Sequence, residues 1–164
     1  MRFAYADPPY PGQAARWYST HPNYAGEVDH AKLIDELADF DGWALSTSAA
    51  ALQLVLSLCP PDVRVAAWTR PNSEPPGNRG TWHWTWEPVI IKPGRAPVET
   101  TQDALVLPHI STGSLIPGQK PRRFCEWIFR LMGAGIDDEL SDLFPGSGAV
   151  GWAWQGFTAQ PALF

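Results

Sequence analysis

Asp7-Pro8-Pro9-Tyr10 is the stretch that most constrains how this chain can fold. It follows directly on the apolar run Phe3-Ala4-Tyr5-Ala6, which reads as a buried strand. Two consecutive prolines supply no backbone N–H and neither extend a ladder nor open a regular helix without strain. The chain is therefore held in a stiff, extended corner at the carboxyl end of a strand. A carboxylate enters the corner and an aromatic ring leaves it. An acceptor beside a flat apolar face suits a planar group that bears an amine. Taken alone the tetrapeptide would read as a turn, because proline makes up 17 of the 164 residues.

Strand and helix signals alternate along the rest of the chain, which argues for a mostly parallel sheet with helices on both faces. Strands are expected over 2–7, 43–46, 63–69, 82–92, 104–110 and 136–143. Pro88 is expected to interrupt the fourth of these, and Pro108 to mark the fifth as an edge. Helices are expected over 29–40, capped by Asp29 with Leu33, Ile34 and Leu37 inward, and over 48–58, stopped by Pro60-Pro61. A third amphipathic helix is expected over 121–132 with Pro121 in its first turn, and a fourth begins over 150–155. Residues 8–28, 70–81 and 93–103 read as loops. A loop as long as 8–28 beside a rigid corner reads as a functional lid.

A second constellation gives the corner a chemical context. Asp142-Leu143-Phe144-Pro145-Gly146-Ser147-Gly148 follows a strand and combines an acid, a ring and two glycines. Gln119-Lys120-Pro121 opens the third helix, and Trp86-Glu87-Pro88-Val89-Ile90-Ile91 forms a late strand. Together with Asp7-Pro8-Pro9-Tyr10, these resemble the motifs of the S-adenosylmethionine-dependent amino-methyltransferases, which methylate the exocyclic amine of adenine or cytosine. The order, with the catalytic motif first and the cofactor loop last, resembles the beta class of DNA amino-methyltransferases and the messenger-RNA adenine methyltransferases. The likeness is close over residues 2–12 and 82–156 and loose between them.

The resemblance implies an α/β fold, one domain over 1–164: a Rossmann-like methyltransferase sheet, circularly permuted, minimal and mostly parallel. A late antiparallel hairpin would be supplied by residues 82–110. It implies catalysis by Asp7, Pro8, Pro9 and Tyr10. S-adenosylmethionine (SAM) would be held by Ala6, Asp7, Gln119, Lys120, Asp142, Leu143, Phe144, Pro145, Gly146 and Gly148. Asp7 and the Pro8 carbonyl would accept from the amine, and Tyr10 would stack on the base. Lys120 would place the cofactor loop. Glu87 matches a glutamate of the family's late strand, and an equally good reading is a structural hydrogen-bonder. An aspartate at the motif's first position is typical of enzymes acting on adenine N6 in DNA. RNA, single-stranded DNA and cytosine N4 are the alternative substrates.

The sequence departs from the family where a strand after the glycine loop would end in an acid for the cofactor ribose; no acidic residue follows Asp142. The expectation is a sheet of about five parallel strands plus the hairpin, missing the strands beyond the loop. Its pocket would be completed by a partner subunit or a second copy, or the chain would be an inactive nucleic-acid-binding homologue. Low sequence specificity follows from the lack of a large recognition domain. A minimal enzyme of this kind would suit a bacteriophage or mobile element.

Composition sets outer bounds. The chain is 45% apolar, with a mean hydropathy of −0.20 and no run near the ~20 apolar residues a membrane helix needs. The N-terminus enters a strand at once, so no signal peptide and a cytoplasmic location are expected. Cys59 and Cys125 are isolated, the four histidines are scattered, and neither set has metal-ligand spacing. No Gly-Lys-Ser/Thr follows the glycine loop, which argues against a triphosphate site. The net charge of −5 sits awkwardly with a nucleic-acid partner. A basic cluster of Arg64, Arg70, Arg79, Lys92, Arg95, Lys120, Arg122 and Arg123 would have to compensate, unless these are ordinary solvated charges. Trp82, Trp84 and Trp86 alternate as if on one face of a strand, either packed or lining a base-stacking surface.

Overall fold

The computed structural model describes residues 1–12, 26–71, 83–108 and 119–159. Along the chain run β1 (Arg2–Ala6), α1 (His30–Leu37), β2 (Gly42–Ser46), α2 (Leu52–Leu56), β3 (Arg64–Thr69) and β4 (Trp86–Lys92). Then come β5 (Ala104–Val106), α3 (Arg122–Met132), β6 (Glu139–Asp142) and α4 (Ala149–Thr158). Among the described residues the strands form one sheet in the order β5-β3-β4-β2-β1-β6. β1 pairs in parallel with β2 and β6, and β3 with β5, whereas β4 is antiparallel to both neighbours. Five strands thus share one direction and β4 runs against them.

This is the mostly parallel α/β sheet expected, and β6 forms its edge, with no strand beyond the glycine loop among the described residues. The antiparallel hairpin is made by β3 and β4, not within residues 82–110. β5 never pairs with β4 but adds in parallel outside β3, as a three-residue edge strand.

Pro88 does not interrupt β4. In an antiparallel strand a residue's N and carbonyl point to the same neighbour, and the Pro88 carbonyl points to β2, accepting from Thr47 N–H at 3.1 Å. That position lies just past the last β2–β4 pair, Ser46 with Val89, so the missing N–H falls at the end of that ladder and the pairing of Pro88 with Ala67 of β3 is kept.

Apolar alternation in the strands sends side chains to two cores. Phe3, Tyr5, Ala44, Ala66, Trp68, Val89 and Ile91 pack against Phe124, Ile128, Phe129 and Met132 of α3 and Val150 and Ala153 of α4. Ala4, Ala6, Trp43, Leu45 and Ile90 face the other way, onto Leu33, Ile34 and Leu37 of α1 and Val55 of α2. Asp29 caps α1 through the N–H groups of Ala31 and Lys32, as its type and position require. α2 is shorter than the 48–58 pattern, because Ser48 turns the chain ahead of it by accepting the Ala51 N–H on both its carbonyl and its hydroxyl. β4 begins at Trp86, so the alternating tryptophans do not line a strand face: Trp84 precedes the strand and Trp82 lies outside the described residues.

Candidate active site

The carboxyl ends of β1, β2, β3 and β6 and the amino end of β4 all meet at one edge of the sheet. Ligands of open α/β sheets bind outside that edge. β1 delivers Asp7 there and β6 delivers Asp142. Tyr5 pairs with Asp142, and the Tyr5 carbonyl accepts the Leu143 N–H at 2.9 Å. The two motifs, more than a hundred residues apart in the chain, are therefore adjacent.

Asp7 sits at the mouth of the corner, about a quarter exposed, with Ala6 and Pro8 buried beside it. Its Oδ2 meets the Lys120 ammonium at 3.0 Å. Lys120 is 8% exposed and also meets Glu87 Oε2 at 3.2 Å. Its ammonium stands 5.7 Å from the ring centres of both Trp68 and Phe124, within cation–π range. The Tyr10 hydroxyl donates to Glu87 Oε2 at 3.3 Å, and Arg70 closes the other side with Nη1 at 2.9 Å from Glu87 Oε1. Beneath the corner, the hydroxyls of Tyr5 and Ser46 bond at 2.8 Å inside the core.

These contacts set the protonation states. Burial pushes the Asp7 carboxyl up, Lys120 pulls it back only in part, and Glu87 adds to the rise. Burial also opposes Glu87's charge, but Lys120 and Arg70 together hold its carboxyl below the ordinary glutamate range. Lys120 is disfavoured as a cation by burial, yet Asp7, the two phenols of Tyr10 and Tyr5, and Glu87 outweigh that and hold its ammonium well above the usual lysine range. Asp142 is raised by burial, partly offset by the Phe144 N–H that it accepts at 3.3 Å, and raised further by Asp7.

Beyond Asp142, Leu143 and Phe144 are half-buried against the α1 face and Pro145 is exposed. Gly146 and Gly148 take φ of 46° and 74°, a region that side chains strain to enter. A Cβ on Gly146 would meet nothing nearer than the Phe144 carbonyl oxygen at 3.8 Å, so the loop is open there. Gly148 opens α4, and Trp152, 75% exposed in its first turn, stands beside it. At the end of β2, Thr47 is buried and its hydroxyl has no partner among the described residues, the kind of group that a ligand satisfies. An open glycine loop, a half-buried acid and this hydroxyl fit a polar, nucleoside-bearing cofactor such as SAM.

The chain shares this architecture with crystal structures of M1.HpyAVI. The SAM complex of that protein superposes with a TM-score of 0.67 at 15% identity, covering 96% of this chain and 78% of that one. A second M1.HpyAVI structure gives 0.63 at 16% identity, covering 95% and 76%. This chain has the Rossmann-like methyltransferase fold. No protein-family profile and no curated protein matches it.

Within that fold, Asp7, Tyr10 and Lys120 come together, and Asp142 through Gly148 lies beside them. Gln119 lies partly buried directly ahead of Lys120. Lys120 meets Asp7 and Glu87, partners that the sequence did not indicate. Glu87 meets Arg70, Lys120 and Tyr10, the contacts of a structural hydrogen-bonder at the corner. Sequence reasoning missed Arg70, Trp68 and Thr47. Each stands at the carboxyl end of a strand, the one signal that would have found them.

Arg70, Lys92, Arg95, Lys120 and Arg122 each pair with an acid, Arg64 and Arg123 are exposed, and Arg79 lies outside the described residues. No helix among the described residues is long and apolar enough to cross a membrane.

Proposed function

We propose that this chain transfers a methyl group from SAM to the exocyclic N6 amine of adenine in DNA. The observation that carries the reading is the bond from Leu143 to Tyr5, which sets the Asp-Pro-Pro-Tyr corner against the glycine loop. A site that joins two bound molecules needs its two motifs at this spacing.

The loop from Asp142 to Gly148, with Ala6, Gln119 and Lys120 near it, would hold the cofactor. Bound there, SAM would supply an electrophilic methyl on its sulfonium. An aromatic amine is a poor nucleophile, because its lone pair is delocalised into the ring. Asp7 and the Pro8 carbonyl would accept its N–H groups, draw the nitrogen towards tetrahedral geometry and localise the lone pair. Pairing with Lys120 through Oδ2 leaves Oδ1 as the oxygen for the amine, since an ionised carboxylate has several acceptor sites. Tyr10 would stack on the base, worth about 1–3 kcal/mol. Most of the remaining acceleration would come from positioning. A base within a duplex must first be flipped out, a cost that single strands largely avoid.

The test is transfer of labelled methyl from SAM to duplex and single-stranded DNA and to RNA of the same sequence, with the product base identified by mass spectrometry. Calorimetric titration with SAM runs in parallel on the wild type and on Gly146→Trp. Label in N6-methyladenine of DNA, with cofactor binding lost in Gly146→Trp, supports the proposal. Label in RNA alone, or in N4-methylcytosine, replaces the substrate. No binding at millimolar cofactor overturns the stand-alone enzyme and leaves a nucleic-acid-binding homologue or a subunit completed by a partner.

A further inference from the structure

Four charged side chains alternate in sign from β3 to the catalytic corner. Arg70 meets Glu87 Oε1 at 2.9 Å, Glu87 Oε2 meets Lys120 at 3.2 Å, and Lys120 meets Asp7 Oδ2 at 3.0 Å. Tyr10 joins at Glu87 Oε2, so the ring that would stack on the base hangs from the same carboxylate. The Arg70 and Glu87 side chains are only 20% and 14% exposed, so solvent screens this contact weakly. Arg70 also lies over the Trp68 ring at 5.8 Å, beside the Lys120 site on that same indole. Two cations balance two carboxylates.

We propose that Arg70 is a positioning residue for the methyl transfer: acting through Glu87, it fixes the Tyr10 ring and the Lys120 ammonium relative to Asp7. This rests on the function proposed above, because it concerns the same corner. A guanidinium offers several donors in a fixed fork and stacks on aromatic faces, so it can hold a carboxylate in one orientation where a point charge would not. Glu87 accepts on both oxygens, and rotating it would break the Tyr10 or Lys120 contact. Without Arg70, one ammonium would be shared between two partly buried carboxylates, and the uncompensated Glu87 charge would bear on Asp7. The other ionisable groups around Asp7 are Lys120 ahead of α3, Glu87 on β4, Tyr5 and Tyr10 on its own segment, and Asp142 on β6.

The experiment follows the Asp7 carboxyl by carbon-13 NMR titration in the whole chain, alongside kcat, KM and SAM affinity. Arg70→Gln, Arg70→Lys and the double variant Arg70→Gln with Glu87→Gln are compared with wild type. In Arg70→Gln, Asp7 should titrate higher than in the wild type. kcat should fall on the order of ten- to hundredfold, with SAM affinity unchanged. Arg70→Lys should restore the titration but only part of kcat. The double variant should bring Asp7 back towards its wild-type titration, because the unbalanced charge is gone. Arg70→Met keeps the apolar stem over Trp68 and serves if the glutamine variant does not fold. A folded Arg70→Gln or Arg70→Met with unchanged Asp7 titration and kcat overturns the proposal. The NMR arm needs no turnover, so a chain that proves inactive refutes the function without deciding this linkage.

Discussion

The Tyr5 carbonyl accepts the Leu143 N–H at 2.9 Å, one residue beyond the last paired position of β6. That bond extends the β1–β6 ladder into the glycine loop. It fixes Asp7, two residues past Tyr5, relative to Phe144, one residue past Leu143. A slip of one residue between β1 and β6 would turn Asp142 to the opposite face and carry the loop away from the corner.

Replacing Leu143 with proline tests that relationship by deleting the donor, and Leu143→Ala, which removes only the half-buried side chain, is its control. Asp142 is already extended, as a residue before proline must be. Loss of the bond should cost about 1–3 kcal/mol of stability, because the Tyr5 carbonyl is left in a buried strand without its partner. SAM affinity should fall more than stability alone explains. Chemical denaturation and calorimetry on the same preparation separate the two, and unchanged SAM affinity would show that the loop is placed by something else.

Asp7→Asn keeps the shape of the corner and removes its charge. The amide can still meet the amine through its oxygen, but it no longer opposes the Lys120 ammonium. We expect kcat to drop by about a hundredfold or more, because a neutral amide oxygen is a weaker acceptor for the amine than a carboxylate. Stopped-time methyl-transfer assays at saturating SAM provide the measurement, and retention of wild-type kcat would remove Asp7 from the chemistry.

Much of this was legible in the sequence, for identifiable reasons. Proline pairs and alternating apolar residues are local signals, so the β1 corner, the α1 cap at Asp29 and the glycine loop were all visible in the chain. What was not visible is pairing at a distance. The sequence placed the hairpin within 82–110, but Glu87 reaches the site because β4 runs back between β2 and β3. That reversal brings the amino end of β4 to the carboxyl ends of its neighbours. Nothing local to Arg70 shows that it will face Glu87; only the register of Trp68 with Glu87 does. Lys120 was found through its motif, yet its partners were not, because a short motif carries no information about which acid folds against it.

The Tyr5–Ser46 pair beneath the corner offers a stability test free of catalysis. Both hydroxyls are buried, and each is the other's partner at 2.8 Å. Tyr5→Phe leaves the serine hydroxyl unmatched and should cost about 1–3 kcal/mol. Ser46→Ala should cost a similar amount, since it strands the phenol. The double variant should cost clearly less than the sum, because both polar groups are gone together. Denaturant melts of the four proteins give the coupling, and simple additivity would mean that the bond contributes nothing.

Acid should silence the site before it unfolds the protein. Asp7 is a stronger acceptor for an amine when ionised than when protonated, and burial holds its carboxyl above the ordinary aspartate range. Activity should therefore be full above that raised value and fall away as pH drops through it, sooner than a surface aspartate would allow. The stability signs of the two carboxyls differ. Asp7, with its folded value raised, contributes stability while protonated and loses that contribution as pH rises through the folded value. Glu87, held below its ordinary range, contributes stability above that range and loses it only as pH falls through its depressed value. Lys120 is held well above its usual range, so its contribution stays complete below about pH 10 and is lost only at more alkaline pH. The order on acidification is thus loss of turnover first and loss of fold later. Recording kcat and far-ultraviolet circular dichroism over the same pH series checks this. Coincident loss of both signals would contradict the raised Asp7 carboxyl, and an acid limb that persists in the residual activity of Asp7→Asn would assign that limb to another group.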